Sequence, residues 1–124
     1  MKKLKILIVE DDEFMEFLLN EIVETFTDDV LIARDGQEAV DICHDNPDID
    51  LILMDIRMPK LDGFEATIAI RKFNSSVVII AQTACAYSDD EEESKKIGFN
   101  DYVSKPMSEE MLAMLIEKHI EGKV

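Results

Sequence analysis

LILMDIRMPKLDGFEA, residues 51–66, decides how the rest of the chain reads. Its first four residues are apolar without alternation, the pattern of a strand covered on both faces in the middle of a parallel sheet. Asp55 closes that run, and a carboxylate at the mouth of such a strand must be solvated or paired. Asp62, with Glu65 three residues on, forms a capping box that opens a helix reaching about residue 73. The stretch is therefore one strand, one loop carrying an acid, and one helix.

The same unit recurs on both sides. Upstream, 5–9 (KILIV) predicts a strand, and 12–26 a helix with Met15, Leu18, Leu19, Ile22 and Phe26 at helical spacing. A second strand covers 30–33. Asp35 and Glu38 open a helix over 35–44, and Pro47 ends that region. Downstream, 77–81 (VVIIA) is again apolar without alternation. Ser88 and Glu91 open an acidic helix through 97, where Gly98 stops it. A short strand at 101–104 precedes a helix over 108–120, with Met111, Leu112, Leu115, Ile116 and Ile120 on its inner face. Five such units predict an α/β fold, a doubly wound five-stranded parallel sheet with five helices, as one domain over 1–124.

Composition narrows the function. The 124 residues carry a net charge of −15, which disfavours direct binding to nucleic acid or insertion at anionic lipid. The MKKLKILIVEDD start is too short in its apolar run for a signal peptide, and no segment reaches the length of a membrane span. A cytoplasmic location is the expectation. Cys43 and Cys85 form no CxxC pair and read as reduced thiols. His44 and His119 have no partner at metal-ligand spacing. Neither GxGxxG nor GxxxxGK[ST] is present, which disfavours a nucleotide-binding module.

Doubly wound sheets bind ligands beyond the carboxyl ends of their strands. The unusual polar residues gather there. Glu10, Asp11 and Asp12 follow the first strand, Asp55 closes the third, Thr83 follows the fourth, and Lys105 follows the fifth. Converging Asp11, Asp12 and Asp55 carboxylates repel, and a hard cation such as Mg²⁺ resolves that. Lysine and threonine can hold phosphoryl oxygens, and an aspartate can attack phosphorus to form an acyl phosphate. Taken singly, each residue has a plainer reading. Asp11 and Asp12 suit a helix cap, Thr83 a strand end, and Lys105-Pro106 a turn. Their joint occurrence around one sheet is what the separate readings explain poorly.

These residues resemble the response-regulator receiver domain of two-component signalling along the whole chain. The matching segments are ILIVEDD (6–12), LILMDIRMPKLDGFEA (51–66), IIAQTA (79–84) and GFNDYVSKP (98–106). The resemblance implies a flavodoxin-like receiver fold and a phosphorylation-controlled switch. It implies that Asp55 is the phosphoacceptor, and that Asp11, Asp12, Asp55 and the backbone carbonyl of Arg57 hold Mg²⁺. Thr83, Ala84 and Lys105 would bind the phosphoryl group, with Tyr102 as the switch aromatic and a cis Lys105–Pro106 bond. Gly63 fits the turn after the acceptor loop. Arg57 and Cys85 stand where family members tune hydrolysis of the acyl phosphate, although Arg57 also reads as a solvated loop arginine. The partners implied are a sensor histidine kinase or a histidine phosphotransfer protein. The fourth helix, fifth strand and fifth helix would form the responding face, and a dimer through the last two helices is compatible with this. Segments 79–86 and 101–107 look most like receivers attached to hybrid sensor kinases.

Two other classes compete. An aspartyl-nucleophile phosphohydrolase would carry a general-acid Asp two residues after Asp55, where this chain has Arg57. A pseudo-receiver scaffold would have lost an acid, the acceptor or the lysine, and none is lost. The expectation is a relay module with slow self-dephosphorylation and not a turnover enzyme.

Overall fold

The apolar run at 51–54 lies at the centre of a parallel sheet, as its lack of alternation predicts. The computed structural model describes residues 3–58, 60–84 and 88–120, and for 88–91 and 93 it describes the backbone alone. The elements are β1 (Lys5–Val9), α1 (Glu13–Val23), β2 (Asp29–Ala33), α2 (Gly36–Asp45), β3 (Leu51–Asp55), α3 (Gly63–Arg71), β4 (Val78–Thr83), α4 (Ser88–Ile97), β5 (Asp101–Ser104) and α5 (Glu109–His119). Five parallel strands run in the order β2-β1-β3-β4-β5. The order reverses between β1 and β3, so the crevice for a ligand opens above those two strands.

Alternation sorts the strand residues onto two apolar layers. Ile6, Ile8, Leu51, Leu53, Val78 and Ile80 pack on α1 and α5 through Leu19, Val23, Leu112 and Leu115. Leu7, Val9, Ile52, Met54, Ile79 and Ala81 pack on α2 and α3 through Ala39, Cys43, Ala66 and Ile70. Burial pushes the Cys43 thiol up to about 12, which leaves it inert as a nucleophile.

The aspartate caps at the starts of α2 and α3 both form: Asp35 accepts from the Glu38 N–H at 2.8 Å and Asp62 from the Glu65 N–H at 2.9 Å. Two of the boundaries that differ from expectation have a clear cause or consequence. α1 stops at Val23 instead of running to Phe26. The Thr25 hydroxyl donates to the Ile22 carbonyl and that of Thr27 to Leu4, which turns the chain towards β1. β4 extends to Thr83, which pairs with Ser104, so Gln82 and Thr83 belong to the strand and do not follow it.

At the amino end of the sheet, the half-buried Arg71 is held by neutral acceptors. Its Nε and Nη2 donate to the Gly98 carbonyl at 2.9 and 2.8 Å, Nη1 to that of Val77 at 2.7 Å, and Nη2 to Asn100 Oδ1 at 2.9 Å. Asn100 exchanges two further bonds with the Ile79 backbone. The end of α3, the start of β4 and the α4–β5 turn are thereby joined. Gly98 has φ of +129°, a conformation glycine adopts readily. At the start of β5, next to this clasp, Asp101 meets His119 Nε2 at 2.9 Å and fastens α5.

Candidate functional site

Parity along β1 and β3 decides which carboxylates converge. Glu10 continues the face of Ile6 and Ile8, and Asp55 continues that of Leu51 and Leu53. Val9 pairs with Met54, so the next residues, Glu10 and Asp55, stand side by side at the crevice. Both are buried, Glu10 at 2% and Asp55 at 3% exposure.

Lys105 joins them. Its Nζ lies 2.9 Å from Glu10 Oε1 and 3.0 Å from Asp55 Oδ1. Burial alone would lower the Lys105 ammonium, but its bonds to the two carboxylates outweigh that and raise it. Burial pushes the Glu10 carboxyl up from 4.5 to about 7; Lys105 opposes the shift and Asp55 adds to it.

Glu10, Asp11 and Asp55 each offer a carboxylate oxygen, and these oxygens lie within 4.8 Å of one another. The acid pair beside Asp55 is thus Glu10 and Asp11, in place of the expected Asp11 and Asp12. Asp12 caps α1 instead, its Oδ1 accepting from the Met15 N–H at 3.0 Å. Its own N–H donates to Glu10 Oε2 at 3.2 Å, so it supports the cluster through its backbone. Three hard anionic oxygens at such spacing fit a divalent cation of the Mg²⁺ type.

Four more of the expected residues surround the same cleft, a cavity of ≈650 Å³. Arg57, Thr83, Ala84 and Pro106 line it. Thr83 is buried, Arg57 exposed, and the Arg57 N–H donates to Asp55 Oδ1 at 3.3 Å. The Lys105–Pro106 bond is cis. Tyr102 is buried in the α2–α3 layer, paired in register with Ala81, two residues before Thr83. Cys85 lies outside the described residues. The cleft also has an apolar flank formed by Phe14, Met15 and Leu18 of α1.

The raised Glu10 carboxyl sets a pH test. The folded chain binds this proton more tightly than the unfolded chain does. Its contribution to stability therefore falls as pH rises from 4.5 to about 7. A cation competes with the same proton, so Mg²⁺ affinity should weaken below about pH 7, by up to roughly tenfold per unit for one proton. Calorimetric titration across this range measures it; an affinity that stays flat would show that no ligand carboxyl takes up a proton there.

The chain is also similar to known proteins. A family model described as the response regulator receiver domain matches residues 6–117. The chain is 37% identical over 124 residues to hybrid signal transduction histidine kinase I of Dictyostelium discoideum, covering 94% of this chain and 7% of that protein. It is 36% identical over 112 residues to the transcriptional regulatory protein CpxR of Escherichia coli K12, covering 90% and 47%. The chain thus spans about half or less of these curated relatives. Among solved structures it is similar to the receiver domain of a sensor histidine kinase from Pseudomonas aeruginosa PAO1 with a magnesium ion coordinated in its active-site cleft. The TM-score is 0.87, at 34% identity, with 97% of this chain and 99% of that chain covered. It is also similar to a chain in the co-crystal of a Saccharomyces cerevisiae histidine phosphotransfer protein with the receiver domain of its downstream response regulator. There the TM-score is 0.86, at 31% identity, with 94% and 88% covered.

Proposed function

We propose, on the premise that the chain belongs to the response regulator receiver domain family, that Asp55 accepts a phosphoryl group from a phosphohistidine donor in a two-component phosphorelay. The observation that carries this is the part-buried Lys105 bridging the buried Glu10 and Asp55 at the mouth of the central strand. A carboxylate oxygen of Asp55 forms the O–P bond while the donor's N–P bond breaks, and the electron pair stays on the imidazole nitrogen. Lys105 holds one phosphoryl oxygen and the Thr83 hydroxyl donates to another. Glu10, Asp11 and Asp55 would hold Mg²⁺, with the Arg57 carbonyl as a further ligand; bound there, the cation neutralises charge on the transferring group.

Phe14 and Phe17 of α1 are 68% and 59% exposed, and Phe14 lines the cleft. They give a histidine kinase or histidine phosphotransfer partner an apolar surface beside the acceptor. Engagement of the Thr83 hydroxyl then shifts the balance between arrangements of Thr83 and Tyr102, and with it the face of α4, β5 and α5. Slow attack of water, tuned by Arg57 and Cys85, resets the switch. The module turns over no substrate of its own. Among the described residues no helix is long and apolar enough to cross a membrane, and a cytoplasmic site of action suits a partner of this kind.

Incubation with Mg²⁺ and acetyl phosphate, followed by intact mass measurement, tests the reading. The wild type should gain one labile phosphoryl group and Asp55→Asn none. Equal labelling of Asp55→Asn, or no labelling of the wild type together with no Mg²⁺ binding, would refute it.

A further inference from the structure

Gln82 takes no part in the acceptor site, yet it stands next to it. It pairs in register with Asp55 across β3 and β4. Its parity with Val78 and Ile80 places it on the α1–α5 face of the sheet, the face that also carries Glu10. The residue is 2% exposed, and its Nε2 has no hydrogen-bond partner among the described residues. A buried donor left in that state is destabilising, a cost that an apolar side chain at the same place avoids.

Beside it is a small cavity of ≈10 Å³, lined by Gln82, Glu10, Leu18, Leu19, Ile22 and Met107, among others. That volume is at the lower limit for one water molecule, roughly 10–15 Å³ in this measure. A buried water also needs polar partners, and here the Gln82 amide and the Glu10 carboxylate supply two. Glu10 already accepts from Lys105 and from the Asp12 N–H, and two carboxylate oxygens have room for more.

The geometry points to Gln82 as a positioning residue that acts through one buried water: its amide donates to the water, and the water donates to the Glu10 carboxylate. Gln82 touches neither the cation nor the phosphoryl group. It orients a carboxylate that does, as the outer partners of metal ligands generally do. This inference rests on the receiver reading, in which Glu10 is a ligand.

Two measurements test it. A high-resolution crystal structure of the wild type should show an ordered water within hydrogen-bond distance of Gln82 Nε2 and the Glu10 carboxylate. Calorimetric Mg²⁺ titration should show Gln82→Met binding about tenfold more weakly than the wild type. The thermal midpoint of the variant without Mg²⁺ should not fall. If Gln82→Met does not fold, Gln82→Leu carries the same comparison. A dry cavity overturns the inference, and so does a lowered midpoint with unchanged Mg²⁺ affinity, which would mark Gln82 as structural only. A wild type that binds no Mg²⁺ overturns the receiver reading and this inference together. A wild type and a variant that bind Mg²⁺ equally well overturn the role of Gln82 alone.

Discussion

Lys105→Met should lower stability by roughly 3 kcal/mol near neutral pH without Mg²⁺, because it leaves two buried carboxylates with no counter-charge. For a chain of this size that is about 10 °C in thermal midpoint. The physical cause is the position of the ammonium, 2.9 Å from Glu10 and 3.0 Å from Asp55 at a strand mouth. Removing one partner of a buried pair exposes the full desolvation cost of what remains. Two features make the prediction specific. The loss should shrink towards pH 5, since protonation relieves the same repulsion. It should also shrink on adding Mg²⁺, which replaces the missing positive charge. Phosphoryl uptake from acetyl phosphate should fall sharply even with saturating Mg²⁺, since the variant loses the ammonium that would hold a phosphoryl oxygen beside Asp55. A midpoint within about 2 °C of the wild type at neutral pH would show that the pair is solvated and that its burial has been overvalued.

Gly63→Ala should be damaging too, though less so, for a steric reason. A Cβ at this position would lie 2.5 Å from the Asp55 carbonyl oxygen and 2.7 Å from Ile56 Cα. Both are backbone atoms, so no side chain can swing aside. Either the end of β3 or the start of α3 must move. Alanine gains about 1 kcal/mol of helix propensity over glycine, while forced overpacking costs about 1–3 kcal/mol or more. The balance is a net loss of roughly 1–2 kcal/mol. The more telling readout is Mg²⁺ affinity, because the strand end that shifts is the one bearing Asp55. A variant with wild-type midpoint and wild-type Mg²⁺ affinity would show that the loop yields freely.

Most of the fold is legible in the sequence because two local signals agree. The apolar runs at 51–54 and 77–81 specify buried parallel strands, and the Asp35–Glu38 and Asp62–Glu65 pairs mark helix starts at which the structure forms the aspartate cap. The end of α1 is not legible, since the hydroxyls of Thr25 and Thr27 turn the chain through contacts that periodicity does not encode.

The site is legible as a group, but its acid pair is displaced by one position from the expected one. Three acids in a row at 10–12 leave the choice of pair open unless strand parity is followed past Val9. Continuing the alternation of Ile6 and Ile8 selects Glu10 as the residue beside Asp55, and leaves Asp12 to cap α1. Gln82 escapes notice for a related reason. The apolar run ends at residue 81, and a strand that stopped there would place Gln82 beyond the sheet and out of register with Asp55.

The Arg71 clasp has a mechanical consequence. It grips the carbonyl that immediately follows α4 and ties it to the end of α3 and the start of β4. A rod anchored at its tail cannot slide lengthwise; it can only swing. Any movement delivered to α4 from the Thr83 end of β4 would therefore be largest at Ser88 and vanish towards Gly98. The helix would work as a lever, with its fulcrum at the floor of the molecule.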